Sequence, residues 1–369
     1  MSLVPLRVSI AGGRRGMSGL VALIALAAAR VAVSSESQVI PLGPHHSDGT
    51  AVFVSGLATV PDTAILYAAA DDGLYRSADG GAHWANVFSD PIGLFTVAVD
   101  PVEPSTVYIG TTRALFRSLD SGYVWTKILD DATSALAFGP SGELYAGTSG
   151  LGHGESGFVL RSADRGASWA SLLELPHDRI TALAVDPILP ENLYAGTDRE
   201  ILFRSADGGG TWEAVSDGWV GAVTSVAVHP RANATVFASS RPEQGIPENP
   251  FPCTVSKSAD FGGTWEDLFD PALDCGFSSV AIEPSGRHRI FANAAFVLYV
   301  SHDLGRSFSA VTDSPILAAA YAFDSRRPDH LYVAGNGVFE IILGPEGRGI
   351  VPPASSPPPT RTLPSRPAR

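Results

Sequence analysis

Two cysteines in 369 residues are too few to build a disulfide scaffold, and they leave room for one bridge at most. Charged residues are scarce, at 17%. Long hydrophobic runs are missing too: the apolar run Met17–Ala29 spans about 13 residues, against the roughly 20 that a comfortable membrane span needs. What is abundant is glycine (38) and proline (28), within a chain that is 45% hydrophobic. That composition predicts an all-β protein of many short strands and tight turns around a substantial core, and this length is often a single all-β unit.

Residues 1–30 hold four arginines (Arg7, Arg14, Arg15, Arg30) and no acid, and the apolar run ends on three alanines. A basic start, a short apolar stretch and a small-residue exit read as a secretory signal over residues 1–29, cut near Ala29. The Arg14-Arg15 pair leaves a twin-arginine route open, and an uncleaved anchor is the alternative. The expected location is secreted or periplasmic, with no stable membrane span after cleavage. The formal charge of −13 is uneven, since the signal contributes +4 and the tail +3, so residues 31–343 carry −20. A body that acidic repels phosphate backbones and anionic lipid headgroups, so nucleic acid is not an expected partner.

One phrase recurs along the chain. S-A-D-G-G-A-H-W (Ser77–Trp84) returns at Ser118–Trp125, Ser162–Trp169, Ser205–Trp212, Ser258–Trp265 and, worn, at Ser301–Phe308. The closing aromatics are 41, 44, 43, 53 and 43 residues apart. Upstream of each copy lie an apolar run closing on proline, such as I-T-A-L-A-V-D-P at 180–187, and a β-rich phrase such as L-Y-A-G-T at 193–197. A third strand leads into the phrase and a fourth starts at the aromatic. Four strands, A to D, in about 43 residues make one propeller blade, and seven copies of A, B and C predict seven blades over residues 38–343.

In this reading Asp79, Asp120, Asp164, Asp207, Asp260 and Asp303 are structural. Each carboxylate sits where the chain reverses between strands C and D and accepts hydrogen bonds from turn amides, while glycine supplies the positive φ. The aromatic is expected to lie flat against its blade and seal the turn. A catalytic group is needed once or twice, not six times around a ring. Blade seven lacks its own fourth strand. After Leu343 the chain turns Pro-, Ser- and Arg-rich, and residues 344–369 read as a disordered tail. Ser37–Leu42 is expected to supply the missing strand and close the ring, which removes an open sheet edge.

The repeat resembles the BNR/Asp-box repeats of sialidase-like, sortilin-like and xyloglucanase-type propellers. V-A-V-D-P, L-Y-A-G-T and L-Y-R-S-A-D-G-G carry the likeness, over about residues 38–343. The resemblance implies the propeller fold and says little about function, since fold and function separate easily. A sialidase implies an arginine within F/Y-R-I-P, which is absent; Arg289-Ile290-Phe291 departs from it. The xyloglucanases of this repeat type use two propellers, and this chain has one. Photosystem assembly propellers of related repeat type carry a basic arginine patch, which the acidic body here does not match.

In a four-stranded blade the A–B and C–D turns share one face and the B–C and D–A loops the other, so ligand chemistry is expected on the latter. His153, Glu155, His177, Asp178, Arg179, Trp219, Glu243 and Glu248 fall in such loops and form the candidate rim. Tryptophan beside carboxylates suits a sugar-binding cleft, with the carboxyls as general acid and base. The same residues also suit a solvated rim. Cys253 and Cys275 fall at that face on neighbouring segments and are candidates for one disulfide. No metal or other cofactor is expected. The expected function is a monomeric, non-catalytic binding or assembly module for a protein or glycan partner, with a glycoside hydrolase using rim carboxylates as the alternative.

Overall fold

The computed structural model describes residues 37–343, apart from 47–48, 90–92, 150–155, 200, 217–220, 233, 242–253, 269–278, 286, 295, 312–315 and 317. The signal segment 1–29, the tail 344–369 and both cysteines lie outside the described residues. The described elements are all strands, and no helix among the described residues is long and apolar enough to cross a membrane.

The strands form seven antiparallel sheets of four, arranged as a β-propeller. Blade one shows the order: A, Val54–Thr59; B, Leu66–Ala70; C, Gly73–Ser77; D, Ala85–Phe88. Strand A is innermost, and the A strands of neighbouring blades pack against one another around the centre. Strand D is outermost and shrinks to two residues in blades four, five and six (Glu213–Ala214, Glu266–Asp267, Ser309–Ala310). Short outer strands offer little free edge for another chain to pair with.

The B strands are buried on both faces because each is sandwiched between the blades on either side. Leu66–Ala70, Val107–Thr111, Leu144–Thr148 and Leu193–Thr197 are buried from end to end. Their second residue is the aromatic of the repeat, and Tyr67, Tyr108, Tyr194, Phe237, Phe291 and Tyr332 are the largest fully buried side chains. Burying such a ring contributes roughly 1.5–3 kcal/mol. Small residues follow where the next blade presses in: a Cβ on Gly147 would meet Ile180 Cγ2 at 2.5 Å, and one on Gly196 would meet Val223 Cγ1 at 2.5 Å. The L-Y-A-G-T wording thus records a packing distance between blades.

The A strands carry a feature that hydrophobic periodicity does not reveal. Their register slips by one residue at Ser55, Phe95, Ser134, Thr181 and Thr224, the same position in blades one to five. A bulge leaves one residue out of the ladder and re-aims its side chain. Here the hydroxyls turn to the next blade: Ser55 Oγ donates to the Leu94 carbonyl (2.7 Å), Thr181 Oγ1 to Val223 (2.6 Å) and Ser134 Oγ to Ile180. The inner wall is therefore tied strand to strand by hydroxyls.

Ring closure follows the expectation. Gln38–Gly43 pairs antiparallel with Gly337–Ile342, strand C of blade seven, with Gln38 opposite Ile342 and Ile40 opposite Glu340. Blades seven and one also meet through Thr59 Oγ1 donating to the Phe323 carbonyl (3.0 Å) and Asp62 N donating to Ser325 Oγ (2.8 Å).

Candidate functional site

The two faces differ in what their polar groups are free to do. On the C–D face the repeated phrases share one hydrogen-bond circuit, complete in five of the six turns. In blade four Ser205 Oγ accepts from Gly209 N (2.8 Å) and donates to Asp207 Oδ1 (2.8 Å), which also accepts from Thr211 N (2.8 Å). Thr211 Oγ1 donates to the other carboxylate oxygen (2.8 Å). Thr264, Ser168, Ser307 and the His83 ring fill that last role in their own blades. These bonds favour the ionised form: the Thr211 amide and hydroxyl hold Asp207 near a pKa of about 2, and Asp79 and Asp164 lie there for the same kind of reason. Carboxylates so engaged do not serve as proton donors near neutral pH.

The aromatic does more than lie on its own blade. Trp84 Nε1 donates to the Leu42 carbonyl (3.1 Å), Trp125 to Val87 (3.3 Å), Trp212 to Leu172 (3.1 Å) and Trp265 to Val215 (2.7 Å), each on or beside the outer strand of the preceding blade. In the same sense Tyr67 Oη donates to Ser121 O (2.8 Å) and Tyr194 Oη to Phe261 O (3.2 Å), both in the turn of the following blade. The turn phrase is thus a staple between blades as well as a seal within one, since Trp125 Nε1 also donates to the Gly122 carbonyl of its own turn (3.0 Å).

On the opposite face the residue that ends or follows the B strand is polar in six blades: Asp71, Thr112, Ser149, Asp198, Arg241 and Asn336. Near these ends, and at Asn293 in the blade-six B strand, buried oxygens have no hydrogen-bond partner among the described residues: Asp72 Oδ1, Thr112 Oγ1, Ser149 Oγ and Asn293 Oδ1. Between blades three and four the described residues make one charged cluster. Arg179 Nε donates to Asp198 Oδ2 (2.6 Å), Arg179 N donates to Asp178 Oδ1 (2.8 Å) and Asp198 Oδ1 (3.2 Å), and Ser149 bridges Arg179 through the backbone. Asp178 is only 8% exposed. Burial first, then the hydrogen bond and charge of Asp198, push its carboxyl up to about 7. Burial opposes ionisation of Asp198 as well, but the hydrogen bonds from Asp178 and Arg179 win and its pKa is lowered. Their proximity thus favours the neutral form of Asp178 and the ionised form of Asp198.

Of the candidate rim, the structure brings together Asp178 and Arg179. His177 stands beside them, exposed, with a left-handed backbone at φ +60°. His153, Glu155, Trp219, Glu243 and Glu248 lie outside the described residues, as does the Cys253–Cys275 pairing. Asp198 is the partner that sequence reasoning missed. Its signal was the alignment of B-strand ends, where L-Y-A-G-T-D places a carboxylate beside the D–A loop carrying Asp178. Arg289 precedes its B strand, Ile290–Ala294, rather than lying within it, and its guanidinium is 4% exposed and paired with Glu283 (2.5 Å). It is not available to a substrate carboxylate. Among the described residues, no group of three or more His, Cys, Asp or Glu is placed to hold a metal ion.

These features define a seven-bladed β-propeller with a stapled face and a polar, loop-bearing face. No protein-family model and no curated protein matches the chain. Solved structures do. A GH74 enzyme of Niastella koreensis aligns with a TM-score of 0.65 at 18% identity, covering 82% of this chain and 53% of that one. The GH74 xyloglucanase of Xanthomonas campestris aligns with a TM-score of 0.65 at 20% identity, covering 83% and 54%. YCF48 bound to a D1 peptide aligns with a TM-score of 0.59 at 17% identity, covering 84% of this chain and 97% of that one. This chain therefore spans about half the length of the GH74 enzymes it resembles. At these identities the likeness is one of fold.

Proposed function

We propose that this protein is an exported, non-catalytic propeller that binds a peptide or glycan partner on its B–C/D–A loop face. The observation that carries the reading is the state of the Asp178–Asp198 pair. Paired-acid glycoside hydrolysis uses carboxyl groups about 5–10 Å apart, with the scissile bond between them. The two carboxyls lie close enough to perturb each other, the Arg179 amide bonds both of them and its guanidinium holds Asp198, so the pair is engaged within the site rather than held open about a scissile bond. The pair instead makes a fixed, polar floor for a contact surface. His177 and Arg199 stand exposed next to it in the chain, and oxygens near the B-strand ends have no partner among the described residues. Supporting the same reading, YCF48, which matches over nearly its whole length, is a peptide-bound propeller, whereas the GH74 enzymes are about twice as long as the region shared.

The test is binding and turnover on the same protein. Purified wild type and Arg179→Ala are screened against glycan and peptide arrays, and glycan hydrolysis is followed for wild type and Asp178→Asn. Binding without hydrolysis, weakened about tenfold in Arg179→Ala, is the expected result. Hydrolysis of any glycan that Asp178→Asn abolishes would overturn the reading.

A further inference from the structure

The stapled face carries its own anomaly, in blade two. Its turn reads S-L-D-S-G-Y-V-W, where blades four and five read S-A-D-G-G-G-T-W and S-A-D-F-G-G-T-W. Three of the changes are apolar and point outward: Leu119 is 57%, Tyr123 70% and Val124 65% exposed. Val102, 58% exposed, stands on the adjoining A–B turn, which is fastened to this one by Ser121 N donating to the Ser105 carbonyl (2.8 Å). Of the six large hydrophobic side chains exposed among the described residues, three are in this one turn, while Val102 faces Gly142 of the next blade. Single exposed apolar residues are ordinary, and a cluster is not.

The cluster also forgoes a bond. In the other five turns a hydroxyl or imidazole four residues past the aspartate caps Oδ2. In blade two that position is Val124, and the bonds from Ser118, Tyr123 and Val124 all fall on Oδ1 of Asp120. A valine here gives up a cap that threonine would make, and leaves an exposed carboxylate oxygen at the edge of an apolar patch. Sequences that set aside local stability in this way tend to do so at functional surfaces. The Tyr123 ring is already held under the Arg76 guanidinium, 5.5 Å from its centroid, so it is presented in a fixed pose.

We propose that the blade-two turn is a docking site for an apolar peptide segment bearing lysine or arginine. The apolar part lies on Leu119, Tyr123 and Val124, and the cation pairs with Asp120 Oδ2. Charge selects this occupant. The body carries −20 over residues 31–343, so a second copy or an acidic segment is repelled from a patch that a basic one is drawn to. This site is independent of the loop-face reading, since it lies on the opposite face and shares no residue with it.

The test rewrites the turn in the wording of blades four and five, with Tyr123→Gly and Val124→Thr together. Threonine restores the cap, so this variant folds, and Val124→Thr alone is expected to raise the melting temperature by about 2 °C. A phage-displayed library of random dodecapeptides is panned on the full-length wild type. The expected outcome is enrichment of sequences pairing aliphatic or aromatic residues with Lys or Arg. Their affinity should fall at least tenfold on the double variant and on Asp120→Asn, and weaken with added salt. Absence of enrichment, enrichment of peptides without a cation, or equal binding to both forms would overturn the proposal. So would a wild-type dimer in sedimentation that the double variant dissolves, because the patch would then belong to a second copy.

Discussion

His229 shows how one residue can stand in for another of different chemistry. Asp100 and Asp186 close their A–B turns by accepting two backbone N–H groups on one oxygen; Asp186 Oδ1, for example, accepts from Ile188 (2.8 Å) and Leu189 (3.0 Å). In blade five the position is His229, and Nδ1 does the same for Arg231 N (3.1 Å) and Ala232 N (2.7 Å). Nδ1 must then be bare, so Nε2 carries the proton and donates to His288 Nδ1 (3.1 Å), with the rings stacked. Burial, then His288 and Arg231, lower its pKa from 6.5 to about 4. A base depressed in the folded state contributes stability above the unfolded value and loses it as pH falls from 6.5 towards about 4. The loss has a ceiling of about 3 kcal/mol. Urea melts between pH 7.5 and 4.5 should show it, and His229→Asp should flatten that slope. Asp178 has the opposite sign. Its raised pKa of about 7 means that its contribution is present at low pH and lost as pH rises through about 7. Asp178→Asn keeps a donor for Asp198 at every pH. Its advantage over wild type should grow from pH 4.5 and level off near pH 8 at about 2 kcal/mol.

At the scale of elements, the interblade staples give a matched comparison. Trp212 and Trp265 spend their indole N–H on the neighbouring blade, while Trp169 Nε1 is buried and finds no acceptor among the described residues. Tryptophan-to-phenylalanine changes should therefore cost about 1 kcal/mol more at 212 or 265 than at 169. Thermal melts of the three variants would check it. The repeat made the blades legible because Ser, Asp, Gly and the aromatic each answer a local demand of the turn, and the B-strand aromatic answers a demand of the core. The A-strand bulges were not legible. A bulged residue breaks the period of two that marks a strand, and the hydroxyls of Ser55, Ser134 and Thr181 act on the next blade, which no local pattern names. The loop cluster was half legible for the same reason. His177, Asp178 and Arg179 are consecutive and stood out, whereas Asp198 reaches them only once two blades are side by side.

For the molecule as a whole, closure rests on one six-residue strand, Gln38–Gly43. Removing residues 37–43 should leave strand C of blade seven with an open edge and Trp84 without its acceptor at Leu42. Edge-to-edge self-association, measured by light scattering, is the expected consequence. The need for that strand was readable from the missing seventh turn phrase, since a blade that ends after strand C has to borrow its fourth. Function was the least readable property at this scale, because a toroid places its working residues on loops drawn from several blades.

The lock between first and last strands also sets an order of events. Pro41 faces Phe339, about 300 residues downstream, so the first of the described strands to be synthesised is among the last to be matched. Until then the growing chain is an open arc with two unsatisfied ends, and pairing so distant in sequence is slow. For this protein the hazardous interval is assembly rather than service, and anything that shields Gln38–Gly43 while the remaining blades form would raise its yield more than added stability in the finished ring.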